Sequence, residues 1–181
     1  ARDAIRERDR WPAMAGYLGT EYSTAFIIGA ALGFIRHSSV AAILLFVTLV
    51  ILGVLPVDAG VSLVLGANLG GAGLPMWLSR GMDQTARRIP MGNLLIRGTA
   101  SIIALFLVNL TPILSIFDSF GPGQYLINVH LSFNLALLLI GLPFTNYMEK
   151  PLAMLMPEAK PETHIDIYKP DRKSTRLNSS H

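Results

Sequence analysis

One stretch, Leu65 to Pro75, constrains the fold of this chain more than any other part of the sequence. It reads LGANLGGAGLP and lies inside an apolar run from Val61 to Leu78, and Asn68 is the only polar side chain between Leu65 and Pro75. Glycines occupy positions 66, 70, 71 and 73. Each glycine weakens the interior of a helix by up to about 1 kcal/mol relative to alanine. A soluble core helix is therefore a poor interpretation of this stretch.

Glycine-rich apolar segments have two structural uses in membrane proteins. The helix can be broken at the glycines, towards protein or a water-filled cavity, and broken helices of this kind form binding sites in secondary transporters. The helix can also stay intact and use the spacing Gly66-x-x-x-Gly70 for close packing against another helix. Gly29 and Gly33 form a second pair with this spacing. The residues alone leave both interpretations open.

Charged residues are scarce and segregated, and this pattern predicts an all-α integral membrane protein. They make up 15% of the 181 residues, whereas soluble domains average about 25%. They crowd into Ala1–Arg10, into Arg80–Arg88 and into the segment after Glu149. The runs between these three basic islands are continuously apolar, whereas strands of a membrane barrel would alternate. The chain has no cysteine, which excludes disulfides and thiolate metal sites, and no basic patch interleaved with aromatics suggests nucleic acid.

The basic islands also predict the topology, because loops rich in Lys and Arg prefer the cytoplasm. Three apolar runs separate the first two islands, and an odd number of crossings cannot return the chain to the same side. An odd number of these runs must therefore fail to cross completely. We predict a re-entrant helical hairpin from Ala13 to Leu55, with Ser38 and Ser39 buried at its tip. Which of the runs fails to cross stays open.

Two further membrane helices are predicted downstream, Asn93–Leu110 and Tyr125–Tyr147, separated by the turn DSFGPGQ. Arg80–Pro90 is predicted to be a hydrophilic loop. Arg97 would then lie about one turn inside its helix, from where a long side chain can reach the membrane interface.

The polar interruptions, together with residues downstream, resemble the bacterial sodium–phosphate cotransporter family. HSSVA at His37–Ala41 is similar to the family's QSSSA-type hairpin tip, and LVLGANLGG at Leu63–Gly71 is similar to its GANIGT-type broken segment. ARRIPMGNLLIR at Ala86–Arg97 is similar to the helix that follows, and HLSFN at His130–Asn134 keeps an HxxFN pattern. The resemblance covers roughly Tyr17 to Met156. The order of elements is that of the second of the family's two inverted repeats.

The resemblance implies ion-coupled transport of inorganic phosphate across the cytoplasmic membrane, with sodium as the coupling ion and no other cofactor. A half-helix N-terminus offers free N–H groups to the anion, and sodium needs several oxygens. The implied binding residues are His37, Ser38, Ser39, Gly66, Asn68, Gly70 and Gly71, with sodium at Asn68 and Ser38 and with Arg36, His130 and Asn134 as secondary candidates. Without the resemblance, a simple helix N-cap is the favoured interpretation of Ser38 and Ser39. Residues such as His130 and Asn134 more often hold helices together than bind a ligand.

The sequence departs from the family at positions that concern sodium. His37 replaces a Gln, Val40 replaces a third Ser, and Gly71 replaces a Thr whose hydroxyl could ligate sodium. Asn93 and Arg97 occupy a degraded copy of the HxxFN pattern. A proton carried by His37 is therefore an alternative coupling ion, and facilitated anion efflux is another alternative. A non-transporting membrane subunit, in which the glycines only pack helices, also stays open. Without paired carboxylates, a nucleophile–base pair or a P-loop, we expect no enzyme.

The expected organisation is a charged cytoplasmic segment at residues 1–12, a membrane domain at 13–148, a cytoplasmic linker at 149–172 and a non-native tail at 173–181. We expect the first repeat to precede Ala1. The resemblance of PETHIDIYKP at Pro161–Pro170 to a family linker implies a PhoU-type helical domain downstream in longer members. The expected partners are phosphate, sodium, the lipid bilayer and the first repeat, with a homodimer as a further alternative.

Overall fold

The computed structural model describes residues 22–36 and 38–158. The predicted segment 1–12, the start of the predicted hairpin, His37 and the chain from residue 159 onwards lie outside the described residues. The helices are α1 (Tyr22–Ile35), α2 (Ser39–Ile51), α3 (Val57–Leu78), α4 (Gln84–Leu110) and α5 (Pro122–Leu155), with short 3-10 segments at Ser79–Gly81 and Ile113–Phe117. The described part contains no strand, and α3, α4 and α5 are long and apolar enough to cross a membrane. The predicted all-α membrane class is therefore confirmed.

Helix α3 is the centre of the bundle. Every residue from Ala59 to Asn68 is buried, and α3 packs against each of the other four helices. A helix that is apolar on all sides can be covered by protein or by lipid, and α3 is covered mainly by protein. This position makes α3 the element against which the rest of the chain is arranged.

The glycines of α3 allow its backbone to touch the backbone of α1. A Cβ on Gly66 or Gly70 would collide with the main chain at Ala30, and a Cβ on Gly29 would collide with the main chain at Leu63. Helix α3 is one continuous helix, so the predicted break at the glycines is not observed and that expectation is corrected. The close-packing interpretation describes the structure, because small residues at four-residue spacing let two helices approach closely.

The short helix α2 agrees with a segment that enters the membrane without crossing it. Its 13 residues span about 20 Å, whereas the hydrocarbon core is about 30 Å thick. After α2 the chain turns at Gly53, whose φ of 70° suits glycine, and the N–H groups of Val54 and Leu55 donate to the carbonyl of Leu49. The tip before α2 differs from the prediction, since Ser38 is exposed and Ser39 is only half-buried. The tip contacts α3 at Gly71, and this contact leaves Ser38 exposed.

Helices α4 and α5 are longer than the sequence predicts. Helix α4 starts at Gln84 because the side chain of Asp83 accepts a hydrogen bond from the N–H of Thr85 at 3.0 Å, which is the usual role of an N-cap. Helix α5 continues to Leu155 and includes Pro143 and Pro151. The loop predicted at Arg80–Pro90 is therefore mostly helical, and the predicted position of Arg97 near a helix end is wrong.

We predict that Gly66→Ala lowers the thermal stability of the full-length protein in detergent. The added methyl group would overlap main-chain atoms of Phe26 and Ala30, which cannot move aside as a side chain can. Overpacking of this kind costs about 1 to 3 kcal/mol, more than the gain of up to about 1 kcal/mol in helix propensity. Gly81→Ala is the control, since no heavy atom lies within 4 Å of its new Cβ. Equal melting temperatures for the two variants would contradict the packing described here.

Candidate functional site

Four polar side chains from three helices meet in the interior of the bundle. Asn68 is completely buried near the midpoint of α3, and Arg97 lies at the midpoint of α4, 13 residues from each end. His130 and Asn134 are one turn apart on α5. These four residues form the polar cluster. Their surroundings are apolar, and polar groups inside membrane segments usually face the bundle interior and mark a function.

Asn68 makes polar contacts through both ends of its side chain. Its Nδ2 donates to the carbonyl of Val64 at 2.9 Å and lies 3.3 Å from Nδ1 of His130. Its Oδ1 accepts from Nη1 of Arg97 at 3.1 Å, and Nδ2 of Asn134 lies 3.5 Å away. The Asn68 side chain therefore joins all three helices.

His130 lies against two amide groups. Its Nδ1 is 3.3 Å from Nδ2 of Asn68 and 3.1 Å from Nδ2 of Asn134, and its Nε2 is 3.3 Å from Nδ2 of Asn134. Asn134 also donates to the carbonyl of His130 at 2.8 Å. Both ring nitrogens of His130 therefore face amide nitrogens. Arg97 is the member of the cluster that is always charged.

Arg97 has no opposite charge beside it in the described residues. Its one side-chain hydrogen bond there goes to Asn68, and no carboxylate of residues 22–36 or 38–158 forms an ion pair with it. A guanidinium has five N–H donors, so most of them are available to a ligand. On insertion scales an arginine costs about 2.5 to 3.5 kcal/mol at the centre of a membrane helix, and less nearer its end. A bound anion would reduce the cost that Arg97 carries.

A cleft between α4 and α5 leads from Arg97 to one end of the bundle. Its volume is about 580 Å³, and its lining begins at Arg97 and Asn134 and extends to Arg88 and Glu149. Along α4 this is a path of about 14 Å. At the far end Arg88 donates twice to the carbonyl of Met156, at 3.0 and 2.9 Å, and so ties the end of α5 to α4. The cleft therefore connects the polar cluster with the basic island at Arg80–Arg88.

The structure brings together only part of the predicted site. Asn68, His130 and Asn134 meet in the polar cluster, although the sequence offered the last two only as secondary candidates. Gly66 and Gly70 lie on the opposite face of α3, where they contact α1. Their backbone is helical and offers no unwound carbonyls to an ion.

Among the described residues, no hydrogen bond joins the predicted hairpin tip to the polar cluster. Ser38 is the N-cap of α2, and its Oγ accepts from the N–H of Ala41 at 3.3 Å. A Cβ on Gly71 would lie 3.1 Å from the Cβ of Ser39, so the tip packs against α3. Arg36 is exposed, and His37 lies outside the described residues. Among the described residues no group of three or more His, Cys, Asp or Glu could hold a metal ion.

Sequence reasoning missed Arg97 as a member of the site. The signal was present, because Asn93 and Arg97 have the same four-residue spacing as His130 and Asn134. The charge was instead assigned to the interface, since the helix was expected to begin near it. The capped start of α4 at Asp83 moves Arg97 to the middle of the helix.

Comparison with known proteins identifies relatives that are named for the export of phosphate. Over 124 residues the chain is 35% identical to the protein of Escherichia coli (strain K12) named "Putative inorganic phosphate export protein YjbB", which covers 68% of this chain and 23% of that protein. Over 142 residues it is 32% identical to the protein of the same name from Salmonella typhimurium, covering 77% of this chain and 26% of that protein. The chain is similar to proteins named for phosphate export.

These matches have a limited extent. The chain spans about a quarter of the length of the curated relatives that it matches. No family model matches the chain. No solved structure matches it. The names of the relatives support a phosphate transporter family, whereas membership of the sodium–phosphate cotransporter family stays a prediction.

We predict that Asn68→Leu lowers the stability of the full-length protein by about 2 kcal/mol or more, since it leaves Arg97, His130 and Asn134 without a buried partner. A thermal melt in detergent would measure the loss. Asn109→Leu is the matched control, because the Asn109 side chain bonds only to the Leu105 carbonyl of its own helix, at 2.6 Å. We expect it to cost less than about 1 kcal/mol. A larger loss for the Asn109 variant would show that the cluster is not a structural junction.

Proposed function

We propose that this chain takes part in the transport of inorganic phosphate across the cytoplasmic membrane, and that Arg97 binds the anion. The observation that carries the proposal is the guanidinium at the midpoint of α4. It borders a cleft and has no carboxylate partner among the described residues. The names of the relatives supply the class of anion. No chemical conversion is part of this function.

Phosphate suits the chemistry of the Arg97 side chain. A guanidinium is planar and donates pairs of parallel hydrogen bonds to two oxygens of a phosphate. Asn68 holds one N–H through its bond at 3.1 Å, which orients the group and leaves the other donors for the anion. Arg97 is half-buried, so the attraction between the two charges is stronger than in bulk solution. A bound anion would supply the missing counter-charge.

The direction that we propose is export. The relatives are named for export, and efflux is one of the alternatives that the sequence leaves open. Sodium coupling stays a prediction from the family resemblance. It would need oxygen ligands beyond the Asn68 Oδ1, because that oxygen already accepts a hydrogen bond from Arg97.

A non-transporting subunit explains less of the structure. The glycine contacts between α1 and α3 fit that alternative, since close packing needs no ligand. The polar cluster does not, because apolar residues of similar volume would pack α3, α4 and α5 without the cost of an uncompensated charge. A packing role does not explain why an arginine occupies position 97.

We predict that Arg97→Gln reduces phosphate flux by at least about tenfold, since a hydrogen bond to a charged group contributes about 1.5 to 3 kcal/mol. The measurement is the movement of labelled phosphate in proteoliposomes that contain the full-length protein. Arg97→Lys should retain intermediate flux, because it keeps the charge but loses the planar pair of donors.

Arg80→Gln is the control for this experiment. Arg80 is exposed, donates to the carbonyl of Trp77 at 3.0 Å and stacks on the Trp77 ring at 4.1 Å, so its loss should leave flux unchanged. The proposal would be wrong if Arg97→Gln, with an unchanged melting temperature, transported phosphate at the wild-type rate.

A further inference from the structure

We infer that Arg97 takes the place of a coupling cation at Asn68, so that phosphate moves through this protein without sodium. This inference rests on the proposed transport of phosphate and specifies how the charge of the anion is balanced. The observation behind it is the bond of 3.1 Å from Nη1 of Arg97 to Oδ1 of Asn68. The family resemblance implied a sodium ion at this oxygen, and the structure has a tethered cation there instead.

The ligand set at Asn68 is poor for an ion. Its single side-chain oxygen accepts from Arg97 at 3.1 Å, and its nitrogen is bonded to Val64 and His130. The oxygen has two lone pairs; Arg97 engages one, and Nδ2 of Asn134 lies 3.5 Å away. The neighbouring carbonyls belong to a continuous helix and are directed along its axis.

Electrostatic repulsion from Arg97 also disfavours a sodium ion at Asn68. A metal ion on the Asn68 oxygen would lie about 4 to 5 Å from the Arg97 guanidinium. Repulsion between two unit charges at this distance, at an effective dielectric constant near 20, weakens cation binding by roughly 100- to 1,000-fold. No carboxylate of the described residues pairs with the cluster to offset this repulsion.

The remaining positions that the resemblance assigned to sodium have also lost oxygens. Gly71 and Val40 carry no hydroxyl, and Ser38 uses its oxygen to cap α2 through a bond of 3.3 Å to the N–H of Ala41. Two substitutions thus remove hydroxyls that could ligate sodium, and the Ser38 hydroxyl caps a helix, while Arg97 adds a positive charge where the ion would be. A fixed charge on α4 can neutralise the anion without being transported itself.

Because the cation stays with the protein, its charge does not cross the membrane with the phosphate. Each phosphate would carry its own negative charge across the membrane, so the flux should respond to membrane potential. A potential of 100 mV, negative inside, shifts the equilibrium ratio of a monoanion by about 50-fold towards the outside. Efflux then needs no second ion, which agrees with export as the proposed direction.

The test is phosphate efflux from proteoliposomes that contain the full-length protein, in buffers that hold either sodium or potassium as the only alkali cation. We expect the flux in potassium to be at least half of the flux in sodium. A flux in potassium below half of that in sodium would overturn the inference and leave the proposed function intact. Absence of protein-dependent flux in both buffers would overturn the proposed function, and the inference with it.

A thermal melt provides a second measurement that does not depend on transport. Inorganic phosphate should raise the melting temperature of the wild-type protein, whereas replacing potassium chloride with sodium chloride at the same ionic strength should leave it unchanged. A sodium-specific rise in the melting temperature would reveal a sodium site and contradict the inference. Arg97→Lys should behave as the wild type does towards sodium, since it keeps a cation beside Asn68.

Discussion

The contact between the backbones of α1 and α3 determines the arrangement of the rest of the chain. The glycines of both helices remove the side chains that would keep these backbones apart. Helix α1 therefore covers one face of α3, and the residues on the opposite face, including Asn68, are directed towards α4 and α5. Since α3 is covered on all sides, a polar side chain at its midpoint has to find its partners within the protein. The polar cluster follows from this constraint.

The class of the protein and part of its site could be predicted from the sequence. Long uncharged runs between basic islands predicted membrane helices, and a lone Asn68 within such a run predicted a polar centre. The break in α3 could not be decided locally, because four glycines permit both an unwound segment and a tight helix pair. What decides between them is whether another helix lies against the glycines, and this depends on a residue as distant in sequence as Gly29.

The prediction that Arg97 lies near the end of its helix was wrong for a different reason. Hydropathy marks the part of a helix that lies in lipid, and that part was expected to begin at Asn93. The helix itself extends to Gln84, since Gln, Ala and Arg have good helix propensity and Asp83 caps the first turn. A helix and its membrane segment need not share an end. The same reasoning explains why α5 continues past the expected end at Tyr147.

The cleft connects the site to one side of the membrane. It runs from Arg97 to Arg88, next to the basic island that the distribution of Lys and Arg assigns to the cytoplasm. A positive surface raises the local concentration of anions, so phosphate in the cytoplasm would be attracted to the mouth of this cleft. Its inner end holds the one guanidinium of the polar cluster. An exporter needs an anion site that fills from the cytoplasmic side, and an importer needs the reverse. Under the proposed export, phosphate would load through this opening, and the cleft and the basic island supply its path from the cytoplasm to Arg97.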